Sequence, residues 1–207
     1  MNRPQHTTIS DIAFTPSVKA IQSRKGSRPA YARMEQGGGW SKSIDSELAQ
    51  FIAEQSSFFM ATSNAEGQPY IQHRGGPPGF LRVLDEHTLG FADFRGNRQY
   101  ISQGNLVENP KVHLFLIDYA ERRRVKIWGE AKVVEDDREL LDRLMPSGYK
   151  ARPEQAFIIA VTAWDANCPQ HIPQRFEAAD VAKAIESREQ RIAELERELA
   201  RRPKSSE

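Results

Sequence analysis

The stretch "FADFRGNRQYISQGNL", residues 91–106, predicts a strand that runs through a tight turn into a helix. Arg95 and Arg98 flank Gly96 and Asn97 at that turn. A helix start carries unpaired N–H groups and partial positive charge, so an anion is stabilised there. Gly96 allows the backbone to approach an anion closely, and Asn97 can cap the helix. Either arginine can donate two parallel hydrogen bonds to phosphate oxygens. The pattern predicts a phosphate site; the alternative is a turn with solvated charges.

A second arginine-bearing segment, "HRGGPPGFLRVLD" at residues 73–85, precedes this turn. It places Arg74 and Arg82 on strand segments either side of a glycine-proline bend, and Pro77-Pro78 interrupts any sheet ladder because proline has no N–H. The two arginine-rich segments are expected to contribute to one anion pocket. The alternative is a structural bulge with two exposed arginines.

Cys168 is the single cysteine of the chain, and His171 follows three residues later. A redox thiol or a Cys-His pair is conceivable, but a lone cysteine beside a proline is more often a small buried apolar residue. Residues three apart in an irregular segment have no fixed geometry, so no nucleophilic dyad is inferred. The five histidines are scattered, and we expect no metal site.

The elements that must position these residues are mainly strands. Seven short apolar segments separated by turn residues predict an antiparallel barrel or sandwich, a mainly β fold with flanking helices. A parallel doubly wound sheet would need a helix after nearly every strand. The strand segments are "SFFMATSN", "PYIQHR", "GFLRVLD", "TLGFAD", "KVHLFLIDY", "RVKIWGEAKVVED" and "AFIIAVTAW".

Five helices are predicted around the strands, from capping residues, apolar spacing and proline stops. They are Pro16 to Arg24 with Thr15 as its cap, a helix capped by Ser43, Gln99 to Glu108, Asp136 to Met145, and a charged tail from Glu177 to Arg202. The chain is therefore divided into an N-terminal arm (1–40), a barrel domain (41–175) and a C-terminal helix (176–207). Spacing in the tail fits about three heptads, and either a coiled coil or a solvated amphipathic helix satisfies it.

Composition excludes several function classes. Lys+Arg 29 against Asp+Glu 28 gives a net charge of +1, so the overall charge does not predict nucleic-acid binding. We expect no membrane span, since the longest apolar run, 156–164, is far below the ~18 residues that a span needs. Residues 1–20 show no apolar core of a signal peptide, and one cysteine excludes an internal disulfide. A cytoplasmic protein is expected.

The arrangement of these motifs resembles the pyridoxamine 5'-phosphate oxidase-like family of FMN-binding split barrels, and within it a bacterial flavin-nucleotide-binding branch. The features that carry the resemblance are the "HRGG" segment, the "T-L-G-F-x-D-x-x-G-N-R" strand and turn, a helix that ends in Asn-Pro, and a basic strand that closes in Trp-Gly-Glu-Ala. The resemblance covers about residues 43–172 and implies an antiparallel FMN-binding split β-barrel.

The resemblance also implies a set of cofactor contacts. Arg74 or Arg82 would bind the FMN phosphate, together with Asn97 and Arg98. The strand that enters the turn would lie against the flavin through Ala92 and Asp93. The remaining implied contacts lie on the later basic strand and the segment after the last strand: Arg124, Lys126, Cys168 and Gln170.

The family is similar throughout in being dimeric, which implies a homodimer with FMN at the subunit interface. The chain departs from the vitamin B6 oxidase itself, because "AWDANCPQHIPQRF" (163–176) stands where that enzyme has a C-terminal arginine motif. The resemblance therefore implies an FMN-dependent oxidoreductase with another substrate and electron donor, both small molecules. The alternatives are a non-catalytic flavin or haem carrier or sensor on the same fold, and a purely structural dimer with an empty pocket.

Overall fold

The computed structural model describes residues 8–167 and 169–201. Its seven strands are β1 (Ser57–Ser63), β2 (Pro69–Gly75), β3 (Arg82–Asp85), β4 (Thr88–Phe94), β5 (Lys111–Asp118), β6 (Arg123–Val134) and β7 (Pro153–Asn167). Its helices are α1 (Pro16–Lys25), α2 (Arg28–Gln36), α3 (Ser46–Glu54), α4 (Ile101–Glu108), α5 (Arg138–Leu144) and α6 (Ala178–Arg201), preceded by a short 3-10 helix at Ile9–Ile12. All seven predicted strands are present.

The strands form one sheet in the order β2-β1-β5-β6-β7-β4-β3. The hydrogen-bonded neighbours pair antiparallel, with β6 and β7 forming the longest ladder, from Arg124–Asn167 to Val134–Ala156. Arg74 on β2 nevertheless makes an ion pair with Asp93 on β4, although four strands separate β2 from β4 in this order. The sheet therefore curls until its two ends approach each other. This is the antiparallel split β-barrel with flanking helices that the sequence predicts.

The inside of the curled sheet is filled by apolar side chains from alternate strand positions. β6 shows why: Val125, Ile127 and Ala131 are buried while the charged residues between them are not. A chain of aromatic contacts crosses the interior, with Phe58 against Phe91 at 5.4 Å between ring centroids and Phe91 stacked on Phe157 at 5.0 Å. Such contacts join strands from both ends of the sheet, so the core holds the curl closed.

Two glycines are required by close packing. A Cβ on Gly76 would lie 2.7 Å from Cγ of Phe80, which fixes the bend between β2 and β3. A Cβ on Gly129 would lie 2.6 Å from the carbonyl oxygen of Ala160, where the β6–β7 register shifts between Trp128 and Gly129. The predicted break at the glycine-proline bend is present, since β2 ends at Gly75 and β3 begins at Arg82.

Two helix predictions need correction, and one helix is additional to those predicted. The helix expected to be capped by Ser43 begins at Ser46, and its cap is Asp45, whose Oδ1 accepts from the N–H of Leu48 at 2.8 Å. The helix expected from Gln99 begins two residues later, at Ile101. Helix α2 was not predicted, and it starts with a proline in its first turn. The prediction of α1 with Thr15 as its cap is confirmed.

The N-terminal segment packs on the barrel through Trp40, which is 8% exposed. Its ring stacks on Trp128 of β6 at 4.6 Å, and Phe14 contacts its other side at 5.1 Å. Just beyond it, Nε1 of Trp164 donates to the carbonyl oxygen of Ser43 at 2.8 Å. These contacts position the segment that leads into α3.

The chain divides into two compact units. The larger comprises residues 1–117 and 124–168, and the smaller comprises residues 118–123 and 169–207. The smaller unit contains α6, which confirms the predicted C-terminal helix. None of the helices among the described residues combines the length and the apolar character needed to cross a membrane.

Candidate functional site

A cleft lies where β2 and β4 approach each other beside the turn that leads into α4. It consists of two adjoining cavities of about 220 and 210 Å³. Both cavities are lined by Gln72, Arg74, Asp93, Phe94 and Gly96. The sheet curl brings these residues together, since they come from two strands that are not hydrogen-bonded to each other.

The centre of the cleft is a buried ion pair. Arg74 Nη1 donates to Asp93 Oδ1, and Gln155 Nε2 donates to Asp93 Oδ2 at 3.0 Å. The guanidinium of Arg74 lies 4.9 Å from the ring centroid of Phe157, within cation–π range. Nε of Arg74 is buried and has no hydrogen-bond partner in the described part of the chain. One donor of this arginine therefore stays available while its charge is already matched by Asp93.

Burial acts against both charges of this pair. It raises the pKa of Asp93 above the usual carboxyl value, although Arg74 and the hydrogen bond from Gln155 oppose the rise. It also lowers the pKa of Arg74, against the attraction of Asp93. Each side chain is only 12% exposed, so removal from water costs more than the pairing returns. A cleft that holds such a pair at a cost is a candidate binding site.

The turn before α4 has an unusual backbone. Arg98 and Tyr100 both have left-handed conformations, with φ of 61° and 54°, which non-glycine residues rarely adopt. Asn97 does not cap the helix as predicted: its Oδ1 accepts from the N–H of Gln99 at 3.3 Å, and Tyr100 occupies the cap position without a side-chain hydrogen bond. The left-handed residues explain why the helix starts only at Ile101. Strain of this kind clusters at functional sites.

Helix α4 is held with its N-terminus toward the cleft. Ser102, in its first turn, is buried and its Oγ donates to Oε1 of Gln72 at 2.8 Å. Further along, Nδ2 of Asn105 donates to Oγ1 of Thr62 on β1 at 2.9 Å. The positive end of the helix dipole is thus fixed beside Arg98, where both stabilise an anion.

A carboxylate already lies between the two arginines of the turn. Oε1 of Glu154, at the start of β7, is 3.9 Å from Nε of Arg95 and 3.8 Å from Nε of Arg98. The hydroxyl of Tyr100 donates to the same oxygen at 3.4 Å. Since these arginines are about half exposed, the ion pairs are weak and an incoming anion can compete with Glu154.

The structure brings five of the predicted site residues to this cleft. Arg74, Asp93, Asn97 and Arg98 line the first cavity, and Ala92 lines the second, although its side chain packs in a small core with Leu144. These residues come from β2, β4 and the turn. The two arginine-rich segments were predicted from their residues to form one pocket, and the contacts of Ala92 and Asp93 were implied by the resemblance.

Three other predicted residues lie elsewhere in their own chain. Arg82 donates from Nε and Nη2 to the carbonyl oxygens of Leu144 and Met145 at the end of α5, at 3.3 and 3.1 Å. Arg124 and Lys126, on β6, do not line the cleft among the described residues. Lys126 instead pairs with Asp165 at 3.0 Å, and its Nζ lies over the rings of Trp40 and Trp128. The side chain of Arg82 is thus bound to the C-terminal end of α5.

Two further residues, Gln170 and Cys168, were predicted to contact the cofactor. Gln170 belongs to the smaller unit and is exposed. Cys168 lies outside the described residues, so its predicted role near the cofactor stays a prediction. Within the described residues, no three side chains of His, Cys, Asp and Glu come together as a metal site.

Sequence reasoning missed several polar residues of the cleft, among them Gln72, Glu154 and Gln155. Gln72 lies two positions before Arg74 and therefore on the same face of β2, a signal that was available. Gln155 is buried opposite Asp93 in the β4–β7 ladder. A polar pair in the middle of two apolar strands also marks a site, but only once the register is known.

The curled antiparallel sheet, with a cleft lined by Arg74 and Arg98 between its ends, defines a split-barrel protein. The family model for pyridoxamine 5'-phosphate oxidase matches residues 44–168, more than half of the chain. The chain belongs to this family. A comparison with curated proteins gives no match.

Solved structures with a similar arrangement have low sequence identity. HupZ of Group A Streptococcus is 19% identical, with 64% of this chain and 99% of that chain covered and a TM-score of 0.49. An FMN-binding protein from Syntrophomonas wolfei is 11% identical, with 73% and 97% covered and a TM-score of 0.46. HutZ, the haem storage protein of Vibrio cholerae, is 18% identical, with 57% and 90% covered and a TM-score of 0.38.

Proposed function

We propose that this protein binds FMN non-covalently in the cleft between β2 and β4 and acts as an FMN-dependent oxidoreductase. The observation that supports the proposal most is the meeting of Arg74, Arg98 and the N-terminus of α4 at one cleft in a chain of this family. The family as a whole suggests FMN.

The residues of the cleft fit a phosphorylated flavin. Arg98 and the N–H groups of the first turn of α4 provide charge and donors for a phosphate. Nε of Arg74, buried without a partner in the described residues, offers a further donor. The two adjoining cavities together reach the lower part of the ~300–1,000 Å³ range of small-ligand pockets.

When bound, FMN supplies hydride and single-electron chemistry through its ring system. The chain's own residues would bind and orient the cofactor. Arg98 would hold the phosphate, Asp93 and Gln155 would keep the Arg74 side chain in place, and Phe91 and Phe157 would exclude water behind it. Because both oxygens of Asp93 accept hydrogen bonds, this carboxylate serves first as a positioning group.

The proposal includes a homodimer, as expected from the resemblance. The outer face of β2, β1 and β5 supports it, because apolar side chains there are incompletely covered. Ile71 is 63% exposed, and it lies opposite Ala61 in the β1–β2 ladder, next to the half-buried pair Phe59 and Phe115. A second chain that covers this face would remove them from water. A cytoplasmic location, expected from the cysteine content, remains a prediction.

The experiment that tests the cofactor is an absorbance spectrum of the purified protein, followed by titration of stripped protein with FMN and with riboflavin. We expect oxidised-flavin bands and a clear preference for FMN, since riboflavin lacks the phosphate. A colourless protein that binds neither compound would contradict the proposal. Loss of absorbance near ~450 nm on addition of NADH would show turnover of a bound flavin.

A non-catalytic carrier on the same fold is the second candidate. It is supported by the state of the carboxylates in the cleft, because Asp93 and Glu154 are both engaged by neighbouring arginines and neither is left as a free acid or base. A flavin carrier would stay oxidised when reductants are added. A haem carrier would need an axial ligand, for which His73 at the second cavity is the candidate, and would show a haem spectrum instead.

A further inference from the structure

Helix α6 carries an apolar stripe that has no cover within its own unit. The helix spans 24 residues, and none of them is buried. Its large apolar residues are 41–63% exposed: Val181, Ile185, Ile192, Leu195 and Leu199. A helix that hides none of its apolar face gains little stability alone, because packing of that face supplies most of helix stability.

The spacing of the stripe is that of a coiled coil. From Val181 to Leu199 the steps alternate between four and three residues if Arg188 is included, so positions 185, 192 and 199 form one row and 181, 188 and 195 form the other. These rows correspond to heptad positions a and d. Isoleucine occupies two of the three a positions, and the d positions hold Val181, Arg188 and Leu195; a β-branched residue at a with leucine at d, as at Ile192 and Leu195, favours two parallel strands.

We propose that a second copy of this chain covers the stripe, so that two α6 helices form a parallel, in-register coiled coil. This inference rests on the tail alone and does not depend on flavin binding. Charge decides the direction of pairing. In a parallel pair, Arg191 at position g faces Glu196 of the partner subunit at position e, an attractive contact. An antiparallel pair would place the acidic e positions Glu189 and Glu196 of both chains against each other.

Arg188 sets the register. It is the charged residue in an otherwise apolar seam, and a polar residue at one core position fixes alignment at some cost in stability. In the in-register pair Arg188 lies beside Glu189 of the partner subunit, which can accept from its guanidinium. A shift by one heptad would place one of the two Arg188 side chains opposite Val181 of the partner subunit and beside the partner's Ala182, and that would leave this charge without a partner.

Disulfide trapping in the full-length chain tests the arrangement. The background variant is Cys168→Ser, which removes the single cysteine. Ile192→Cys is then placed in the seam, and Gln190→Cys serves as a control on the outer face, at position f. A disulfide needs Cα atoms ~4.4–6.8 Å apart, which the seam position allows and the outer position does not. We expect Ile192→Cys to form a linked dimer at least about tenfold faster than Gln190→Cys under mild oxidation.

A second variant strengthens the test. Adding Arg188→Leu to the Ile192→Cys chain should make linking more resistant to dilution, because an apolar residue replaces the charge in the seam. Equal, slow linking of both cysteine variants would overturn the proposal, and so would no response to Arg188→Leu. Rapid linking of a mixture of Ile185→Cys and Leu195→Cys chains, with none for Ile192→Cys alone, would show an antiparallel pair and overturn the parallel arrangement.

Discussion

Arg74 and Asp93 form an ion pair between β2 and β4, strands that lie near opposite ends of the sheet order. The pair therefore joins the two sides of the opening in the barrel, and the candidate cofactor site lies at that opening. A ligand that contacts Arg74 would contact the residue that joins the two sides, so we expect ligand binding and closure of the barrel to be coupled through its guanidinium.

Arg98→Ala should lower the affinity for FMN by about tenfold and leave the affinity for riboflavin nearly unchanged. The reason is that a half-exposed charged hydrogen bond to the phosphate is lost, while the flavin ring keeps its contacts. Fluorescence quenching titrations with both compounds measure the two affinities. Arg33→Ala, an exposed arginine of α2, is the control and should bind as the unchanged protein does. An equal loss for both ligands would show that Arg98 acts on the fold and not on the phosphate.

Glu154→Gln should raise the affinity for FMN by about three- to tenfold at low salt. The carboxylate that faces Arg95 and Arg98 disappears, so the phosphate no longer competes with it. The gain should shrink as salt increases, because these groups are exposed to solvent. Titration at two ionic strengths measures both effects, and Glu130→Gln, on an exposed position of β6, is the matched control. Weaker binding by Glu154→Gln would mean that this carboxylate supports the site.

Asp93→Asn should flatten the pH dependence of stability. Burial raises the pKa of Asp93, so the folded protein binds its proton more tightly than the unfolded chain does. The resulting stability is fully present below the ordinary value of 3.8 and is lost as pH rises through the raised pKa. Urea unfolding at a series of pH values from acid to neutral should show this decline in the unchanged protein and a smaller one in Asp93→Asn.

The control for this measurement is Asp165→Asn. Asp165 also pairs with a cation, Lys126, but that pair is more exposed. If Asp165→Asn changed the pH profile as much as Asp93→Asn does, the effect would not be specific to the buried pair. If the profiles of Asp93→Asn and the unchanged protein coincide, Asp93 does not titrate in the way that its burial implies.

Two glycine substitutions should have opposite effects on the free energy of unfolding. Gly129→Ala should lower it by about 1–3 kcal/mol, because the new Cβ would overlap the carbonyl oxygen of Ala160 at the bulge. Gly104→Ala should raise it by about 1 kcal/mol, because that glycine lies inside α4 and has open space around it. Urea midpoints for both variants check the pair. A neutral Gly129→Ala would show that β6 and β7 can separate locally without cost.

The strands could be predicted because each carries its own pattern. The alternation along β6 fixes which face is buried, and the turn residues around Gly67 and His87 mark the hairpins β1–β2 and β3–β4. Helix α2 was missed because residues 1–40 are polar and contain several prolines and a run of glycines, although proline in the first turn is compatible with a helix start. Local patterns thus account for nearly every element.

The site was only partly predictable, because its key contacts join residues far apart in sequence. Nothing in the spacing of Arg74 and Glu154 shows that both border one cleft; that follows from the curl of the sheet. Arg82 has the same residue type as Arg74 and a similar sequence context, yet it binds the end of α5. The left-handed backbone of Arg98 and Tyr100 moved the helix start by two residues. Such conformations depend on the surrounding tertiary structure.

The bend between β2 and β3 has a consequence for how the barrel forms. These strands are the two ends of the sheet order, yet only residues 76–81 separate them in the chain. A short connection loses little conformational entropy when its ends are brought together. The two margins of the sheet are therefore near each other before the intervening strands have paired. We expect closure of the barrel to be an early event in folding, and we expect the long β6–β7 ladder to be completed after it.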